Sequence, residues 1–322
     1  MPAPRDPAPL PRPAGDGGRQ VPVSVWLAGQ QQSRLQRRGR YVPASIAHPG
    51  KMLPALAAHA IATYTRPGEL VLDPMCGIGT TLVEATHTGR DAVGIEYEPR
   101  WGFLAARNLR HATHQGATGH GTVLIGDSRH IAPALETELA GRVALLLTSP
   151  PYGRTVHGQA KPTPGGGVTK WDHSYGYDKA NLAHQNTGAL LAGFTAILRG
   201  CLPLLRPGGT VVVTARPWRH RGLLVDFPAA VLDAAIRAGY QPVQRCVALL
   251  AAVRDSDLVA RGSFFQLQQA RAARAHGRPI HLAQHEDVLI LRRPPEPPSG
   301  LAGHLAPRYR AGTPAAAVRR AA

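Results

Sequence analysis

Apolar residues recur in two alternating rhythms between about residues 51 and 291. Residues 51–64 carry Met52, Leu53, Leu56, His59, Ala60 and Thr63 at helical spacing, and residues 69–72 form a short apolar strand. A helix is expected from about Thr80 to Thr88, with Gly89 as its C-terminal cap. Residues 92–96 predict a strand, 99–113 a helix, and 122–125 and 143–147 two further strands. Residues 190–205 read as a helix closed by Pro207-Gly208-Gly209, followed by a strand over 210–214. A helix over 228–238 and strands over 246–253 and 287–291 complete the pattern. Repeated strand–helix units with wholly apolar strands predict an α/β fold with a doubly wound, mostly parallel sheet.

The two ends lack this rhythm. Residues 1–40 hold seven Arg against two Asp, and residues 294–322 hold four Arg against one Glu, both with many Pro or Ala. They are expected to be mobile basic tails around a single domain over residues 41–293. The 322 residues carry 37 Lys+Arg against 20 Asp+Glu, a net charge of +17, which points to a polyanionic partner such as nucleic acid. An apolar fraction of 43% excludes wholesale disorder. Cys76, Cys201 and Cys246 are odd in number and widely spaced, which excludes a disulfide framework, and no CxxC pair suggests a zinc module. No metal is expected. The longest apolar runs, such as residues 247–253, are too short to span a bilayer, and the N-terminus lacks the apolar core of a secretory signal. A soluble, cytoplasmic protein without a membrane partner is the expectation.

Open α/β sheets bind ligands beyond the carboxyl ends of their strands. Those ends carry Asp73-Pro74-Met75-Cys76-Gly77-Ile78-Gly79-Thr80-Thr81, then Glu96, then Asp127, then Thr148-Ser149-Pro150-Pro151-Tyr152-Gly153. Gly77 and Gly79 allow close approach of the backbone to a ligand. Glu96 lies at the offset from Asp73 expected of an acid that accepts from ribose hydroxyls, and Asp127 is placed to accept from an adenine amine. The pyrophosphate fingerprint GxGxxG is absent because position 82 is Leu, which argues against a nicotinamide or flavin enzyme. The two prolines donate no backbone hydrogen bonds and stiffen the second loop. That leaves carbonyl oxygens and the Ser149 hydroxyl as acceptors beside an aromatic ring, a combination suited to a planar base bearing an exocyclic amine.

These residues resemble the S-adenosylmethionine-dependent amino methyltransferases of nucleic acids, the N4-cytosine and N6-adenine DNA methylases. The first loop is similar to that family's cofactor loop and Ser149-Pro150-Pro151-Tyr152 to its catalytic loop. His48-Pro49-Gly50-Lys51-Met52 resembles the segment that precedes the cofactor loop, and the likeness extends over residues 41–293. The resemblance implies a Rossmann-like methyltransferase sheet, with S-adenosylmethionine held by His48, Lys51, Asp73, Met75, Cys76, Gly77, Gly79, Thr80, Glu96 and Asp127. Met75 stands where the family more often has Phe, and no sizeable target-recognition domain is evident.

The resemblance further implies direct methyl transfer to an exocyclic amine of a flipped-out base, with Ser149 and the Pro150 carbonyl orienting the nitrogen and Tyr152 stacking on the ring. Ser rather than Asp at position 149 favours cytosine N4 over adenine N6 in DNA. The alternatives are an RNA methyltransferase acting on guanine N2 of tRNA and a catalytically silent nucleic-acid-binding module. Cys76 reads as a small apolar filler rather than a nucleophile. Two insertions are candidate substrate contacts: residues 154–188, with Gly165-Gly166-Gly167, Lys161, Lys170, Trp171, Tyr175 and Tyr177, and residues 254–284, with five Arg against two Asp. His111 and His114 share a helix face without further ligands nearby in sequence.

Overall fold

Eight strands form the central sheet of the computed structural model: β1 (Val25–Trp26), β2 (Leu70–Asp73), β3 (Asp91–Glu96), β4 (Gly121–Ile125), β5 (Val143–Thr148), β6 (Leu205–Ala215), β7 (Gln241–Leu249) and β8 (His285–Arg292). The structure describes residues 22–152, 159–162, 168–171, 176, 178–220, 223–262 and 264–295. The spatial order is β1-β7-β8-β6-β5-β2-β3-β4. Strands β4, β3, β2, β5 and β6 are mutually parallel, β8 runs antiparallel between β6 and β7, and β1 lies parallel to β7. The expected doubly wound, mostly parallel sheet is therefore present.

The sheet is covered on both faces, which is why its central strands carry unbroken apolar runs such as residues 143–147 and 288–291. All six residues of β5 are buried. Leu72, Leu146, Val211 and Val213 point to one face with α7 (Thr187–Cys201) and α8 (Phe227–Arg237), where Phe194 and Phe227 are fully buried. Val71, Leu145, Leu147 and Val212 point to the other, with α2 (Pro54–Tyr64), α3 (Thr80–His87) and α4 (Pro99–His114). Full burial of each such side chain contributes about 1.5–3 kcal/mol.

Several expectations need correction. Residues 1–40 are not a tail throughout. From Pro22 onward the chain is ordered against the domain: it pairs β1 with β7, buries Trp26, and forms α1 (Ser33–Arg37). Arg37 is buried and donates to the Met52 carbonyl, while Arg40 and Tyr41 both bond to the buried carboxylate of Glu84. The reason is that Trp26 and Arg40 have partners far along the chain, Ala248 and Glu84, which a local pattern does not reveal. Residues 1–21 and 296–322 lie outside the described residues.

Strand β6 begins at Leu205, so Pro207-Gly208-Gly209 sits inside the strand, with Leu205 paired to Val143 and Arg293 N donating to the Gly209 carbonyl. The strand expected over 246–253 is split: β7 ends at Leu249, and a hairpin of Ala252–Arg254 with Asp257–Val259 follows. Two short helices, α5 (Ser128–Ala134) and α6 (Glu136–Leu139), lie between β4 and β5, where none was expected. The stretch Thr187–Leu204 is long and apolar enough by composition to cross a membrane, contrary to the sequence reading. It packs Leu190, Phe194, Ile197 and Leu198 into the core beneath the sheet.

Candidate active site

The order of strands reverses between β2 and β5, the point at which a crevice opens above a parallel sheet. Asp73 ends β2 and Thr148 ends β5, and the two are joined there. Asp73 Oδ1 accepts from Thr148 Oγ1 at 2.8 Å and from Met75 N at 3.1 Å, while Oδ2 accepts from Thr81 Oγ1 at 2.7 Å. Burial pushes the Asp73 carboxyl up to about 6, against the lowering effect of these hydrogen bonds. Its first task is thus to hold two loops in register.

Glu96, at the end of β3, does the same for the glycine loop. Its Oε2 accepts from Gly77 N at 2.7 Å and its Oε1 from Glu98 N at 2.9 Å. Burial raises it to about 7 despite those bonds. Gly77 has φ +55°, and a Cβ there would lie 3.1 Å from His48 Nε2, so a larger residue would close the space between loop and imidazole. The His48 ring is buried and meets Trp101 edge-on with centroids 4.7 Å apart. Gly79, at φ +78°, is the N-cap of α3 and packs toward Ala105, away from the cleft wall. Thr80 is buried as the first residue of that helix.

Asp127 caps α5, accepting from Arg129 N at 2.9 Å and from the Arg129 guanidinium. Burial raises its pKa, but the Arg129 bonds and charge outweigh that effect and hold it below the usual range. Lys51 donates to the carbonyls of His48 and Ile46, and burial, helped by the Arg37 charge, lowers it to about 8. The Cys76 thiol is buried where a Cβ on Gly94 would reach within 2.8 Å of it. Burial, with the Glu96 and Asp73 charges, raises its pKa well above the ordinary value, so it remains a thiol.

Across the switch point, Ser149 and Pro150 leave the end of β5, and the Ser149 hydroxyl has no hydrogen-bond partner among the described residues. Tyr152 is half-buried. Trp218 approaches its ring edge-on at 6.0 Å, Phe227 lies 5.7 Å away, and the Arg216 guanidinium carbon lies 5.5 Å from its centroid. The ring is thus built into the core as the floor of the cleft.

One cleft of about 1630 Å³ joins these parts. It is lined by His48, Lys51, Asp73, Met75, Cys76, Gly77, Thr80, Glu96 and Asp127 on one side and by Ser149, Pro150, Pro151 and Tyr152 on the other. The insertion over 254–284 also lines it, through Arg261, His276, Arg278 and His281, and contains α9 (Phe264–Ala275). In the insertion over 154–188, Gln159–Pro162 and Val168–Trp171 pair as a hairpin. The glycines 165–167, Tyr175 and Tyr177 lie outside the described residues, as do the side chains of Lys161, Lys170 and Trp171. His111 bonds to the Gly39 carbonyl at 2.8 Å, and no group of side chains that could hold a metal occurs among the described residues.

Sequence reasoning missed four supporting residues. Asn108, fully buried on α4, bonds Ile78 O, Ser45 Oγ and Val42 N, and so ties the segment before His48 to the glycine loop. An amide on the apolar face of a helix is the signal that would have found it. Arg129 is legible only as a neighbour of Asp127, while Arg216 and Trp218 follow a strand whose end was placed too early.

Comparison with known proteins agrees with the resemblance. The family model described as "DNA methylase" matches residues 14–102, which include the His48 segment, the glycine loop and Glu96. A tRNA (guanine(10)-N2)-dimethyltransferase of Methanocaldococcus jannaschii is 31% identical over 107 residues, covering 33% of this chain and 30% of the relative. The corresponding protein of Methanothermobacter thermautotrophicus is 33% identical over 107 residues, covering 33% and 29%. The chain therefore spans less than a third of the length of these curated relatives. Among solved structures, TrmN from Thermus thermophilus aligns over 80% of this chain and 53% of its own, with 20% identity and a TM-score of 0.46. A chain from Methanosarcina mazei described as a SAM-dependent methyltransferase aligns over 74% and 98%, with 11% identity and a TM-score of 0.43.

Proposed function

We propose that this chain, whose first third matches the DNA methylase family, is an S-adenosylmethionine-dependent methyltransferase acting on an exocyclic amine of a DNA base, with cytosine N4 favoured over adenine N6. The observation that carries the reading is the juxtaposition of two loops in one cleft. Acceptors at Ser149 and Pro150 face, across the Asp73–Thr148 tie, a glycine loop flanked by the carboxylates Glu96 and Asp127.

The residues present fit S-adenosylmethionine. Gly77 leaves a space beside His48 that a Cβ would fill, and Glu96 and Asp127 are acidic acceptors suited to ribose hydroxyls and an adenine amine. The clustered carboxylates also suit a cationic ligand. When bound, S-adenosylmethionine supplies an electrophilic methyl group on a sulfonium.

The chain's own part is to prepare the nucleophile. The lone pair of an aromatic amine is delocalised into its ring, and hydrogen bonds from its two N–H groups to Ser149 Oγ and the Pro150 carbonyl draw it back to nitrogen. The paired prolines fix those acceptors, so they need no reorganisation as charge develops. Tyr152 underlies the site as a flat floor. Once methylated, the nitrogen is cationic and loses one proton, which the Ser149 hydroxyl relays to solvent in the cleft.

A second reading, methylation of guanine N2 in tRNA, is favoured by the curated relatives. The deciding experiment incubates the purified chain with methyl-labelled S-adenosylmethionine and either duplex DNA or tRNA, then identifies the nucleoside by mass spectrometry. N4-methylcytosine or N6-methyladenine in DNA is expected. N2-methylguanine in tRNA would replace this reading with the second.

A further inference from the structure

The arm that carries α9 leaves the sheet after the hairpin that follows β7 and returns at β8. Its two ends are pinned together. Arg261 N donates to Gln284 Oε1 at 2.5 Å, and the Arg261 guanidinium donates to the carbonyls of Gly29 and Gln30. Between those ends, no described side chain over residues 266–283 is buried. Helices of a globular fold usually bury an apolar stripe. Helix α4 does so through Trp101, Leu104, Leu109 and Ala112 among others. The described side chains of α9 fill no part of the core, so what they face decides what they do.

They face the cleft. Gln266, Ala270 and Ala273 line it, and their spacing puts them on one stripe of the helix. Arg271 and Arg274 occupy the neighbouring stripe, and both are exposed. At the helix end Gly277, with φ +73°, lets Arg278 N donate to the Ala273 carbonyl at 3.0 Å. That turn folds the chain back, and Arg278 lines the cleft as well. Arg274 reaches the Ile280 carbonyl at 3.4 Å, and neither Arg271 nor Arg278 has a side-chain hydrogen bond or ion pair among the described residues. Elsewhere in the cleft Arg129 is held by Asp127 and Arg216 by Glu286, and Arg219 lines it too. The carboxylates at the strand ends are withdrawn from solvent, Asp73 being 4% and Glu96 8% exposed. Negative charge is thus buried within the cleft, and positive charge stands exposed along its wall.

We infer that Arg271, Arg274 and Arg278 hold the phosphates of the DNA strand whose base enters the cleft, with the small side chains of Ala270 and Ala273 leaving room for that strand to approach. This rests on the DNA methyltransferase reading above. A base extruded into the cleft brings its flanking phosphates to the cleft mouth. Three residues of α-helix rise about 4.5 Å, close to the axial step of about 3.4 Å between phosphates of one strand. The planar fork of a guanidinium suits phosphate oxygens. Charge alone does not single out α9, because Arg107 and Arg110 stand exposed at the same spacing on α4. Neither of those lines the cleft, and α4 is ordered by its buried face. The difference between the two helices is their place.

The test is the salt dependence of binding to a fluorescein-labelled DNA duplex of random sequence, read by anisotropy. Between about 50 and 200 mM salt, log K falls with log[salt] by about 0.9 for each phosphate contacted. Arg271→Gln with Arg274→Gln should make that slope shallower by about 2, and adding Arg278→Gln by about one more. Arg107→Gln with Arg110→Gln removes the same charge from α4 and should leave the slope unchanged. Arg271→Lys with Arg274→Lys should keep the wild-type slope, since an ammonium also neutralises a phosphate. Affinity for S-adenosylmethionine by calorimetry should be the same in every variant. An unchanged slope in the α9 pair, or an equal loss in the α9 and α4 pairs, would overturn the inference. So would an α9 effect seen with tRNA and absent with the duplex. Where the α9 pair fails to fold, Arg278→Gln alone decides, with a slope shallower by about one expected and an unchanged slope overturning the inference. Product identity is a separate result. A shallower slope with no methylated base in DNA would overturn the DNA methyltransferase reading and leave the phosphate contacts standing, whereas N4- or N6-methylation with an unaltered slope would overturn the inference alone.

Discussion

Thr148 Oγ1 donates to Asp73 Oδ1 across 2.8 Å, tying together the last residues of two neighbouring parallel strands where the strand order reverses. The two loops of the cleft begin on either side of this bond, so their separation is set by one hydroxyl and one carboxylate. Thr148→Val keeps the shape and removes the donor. It should lower stability to urea by about 1–3 kcal/mol, because a buried carboxylate loses a partner, and weaken S-adenosylmethionine binding measured by calorimetry.

Ser149 is the contrasting case one residue on. Its hydroxyl bonds to nothing among the described residues, so Ser149→Ala should leave the melting temperature unchanged. Turnover should fall while S-adenosylmethionine affinity stays within about twofold. A fall in affinity equal to the fall in kcat would move Ser149 from the amine to the cofactor.

Glu96 predicts a pH signature. Its folded value of about 7 lies above the ordinary 4.5, so the folded protein keeps a proton that the unfolded chain has lost between those values. The stabilisation is full below pH 4.5 and is lost as pH rises through about 7. Other groups add slopes of their own; burial of His59, for example, lowers its pKa and works in the opposite direction. The difference between wild type and Glu96→Gln isolates the carboxyl. That difference should shift in favour of the wild type by about 1–3 kcal/mol between about pH 8 and pH 5. Cofactor affinity should run the other way, strengthening as Glu96 ionises.

Arg40 tests the N-terminal segment. Arg40→Ala removes two hydrogen bonds from the buried Glu84 carboxylate, leaving Tyr41, and should destabilise the chain by about 1–3 kcal/mol in denaturant titrations. Deleting residues 1–40 would cost more, since it also removes Trp26 and Arg37 from the core. A change in the salt dependence of nucleic-acid binding after that deletion would therefore mix charge with lost structure.

The strands and loops of the cleft were legible because their physics is local. An apolar run ended by Asp73, Glu96 or Thr148 announces a buried strand with a polar tip, and glycines at positive φ announce a turn. The start of β6 was not legible, because Pro207-Gly208-Gly209 is a breaker by local preference and is overridden by pairing to Val143 and Arg293. Helix α5 was hidden by its seven-residue length and by Pro133 within it. The roles of Arg216 and Asn108 depend on partners distant in sequence, Glu286 for one and Ser45 for the other, which spacing along the chain does not reveal.

Strand β1 has a consequence for how the molecule is made. Val25 and Trp26 pair with Val247 and Ala248, about 220 residues later, and Gly29 fits against Leu250 so closely that a Cβ would lie 2.2 Å from its backbone. During synthesis at roughly 5–20 residues per second, the first strand waits some 10–45 s for its partner to leave the ribosome. For that interval Trp26, which the finished fold buries, stays uncovered beside the apolar Val23, Val25 and Leu27. The outer edge of the sheet therefore closes only after residues 247–248 have been made, however early the strands β2 to β5 pair.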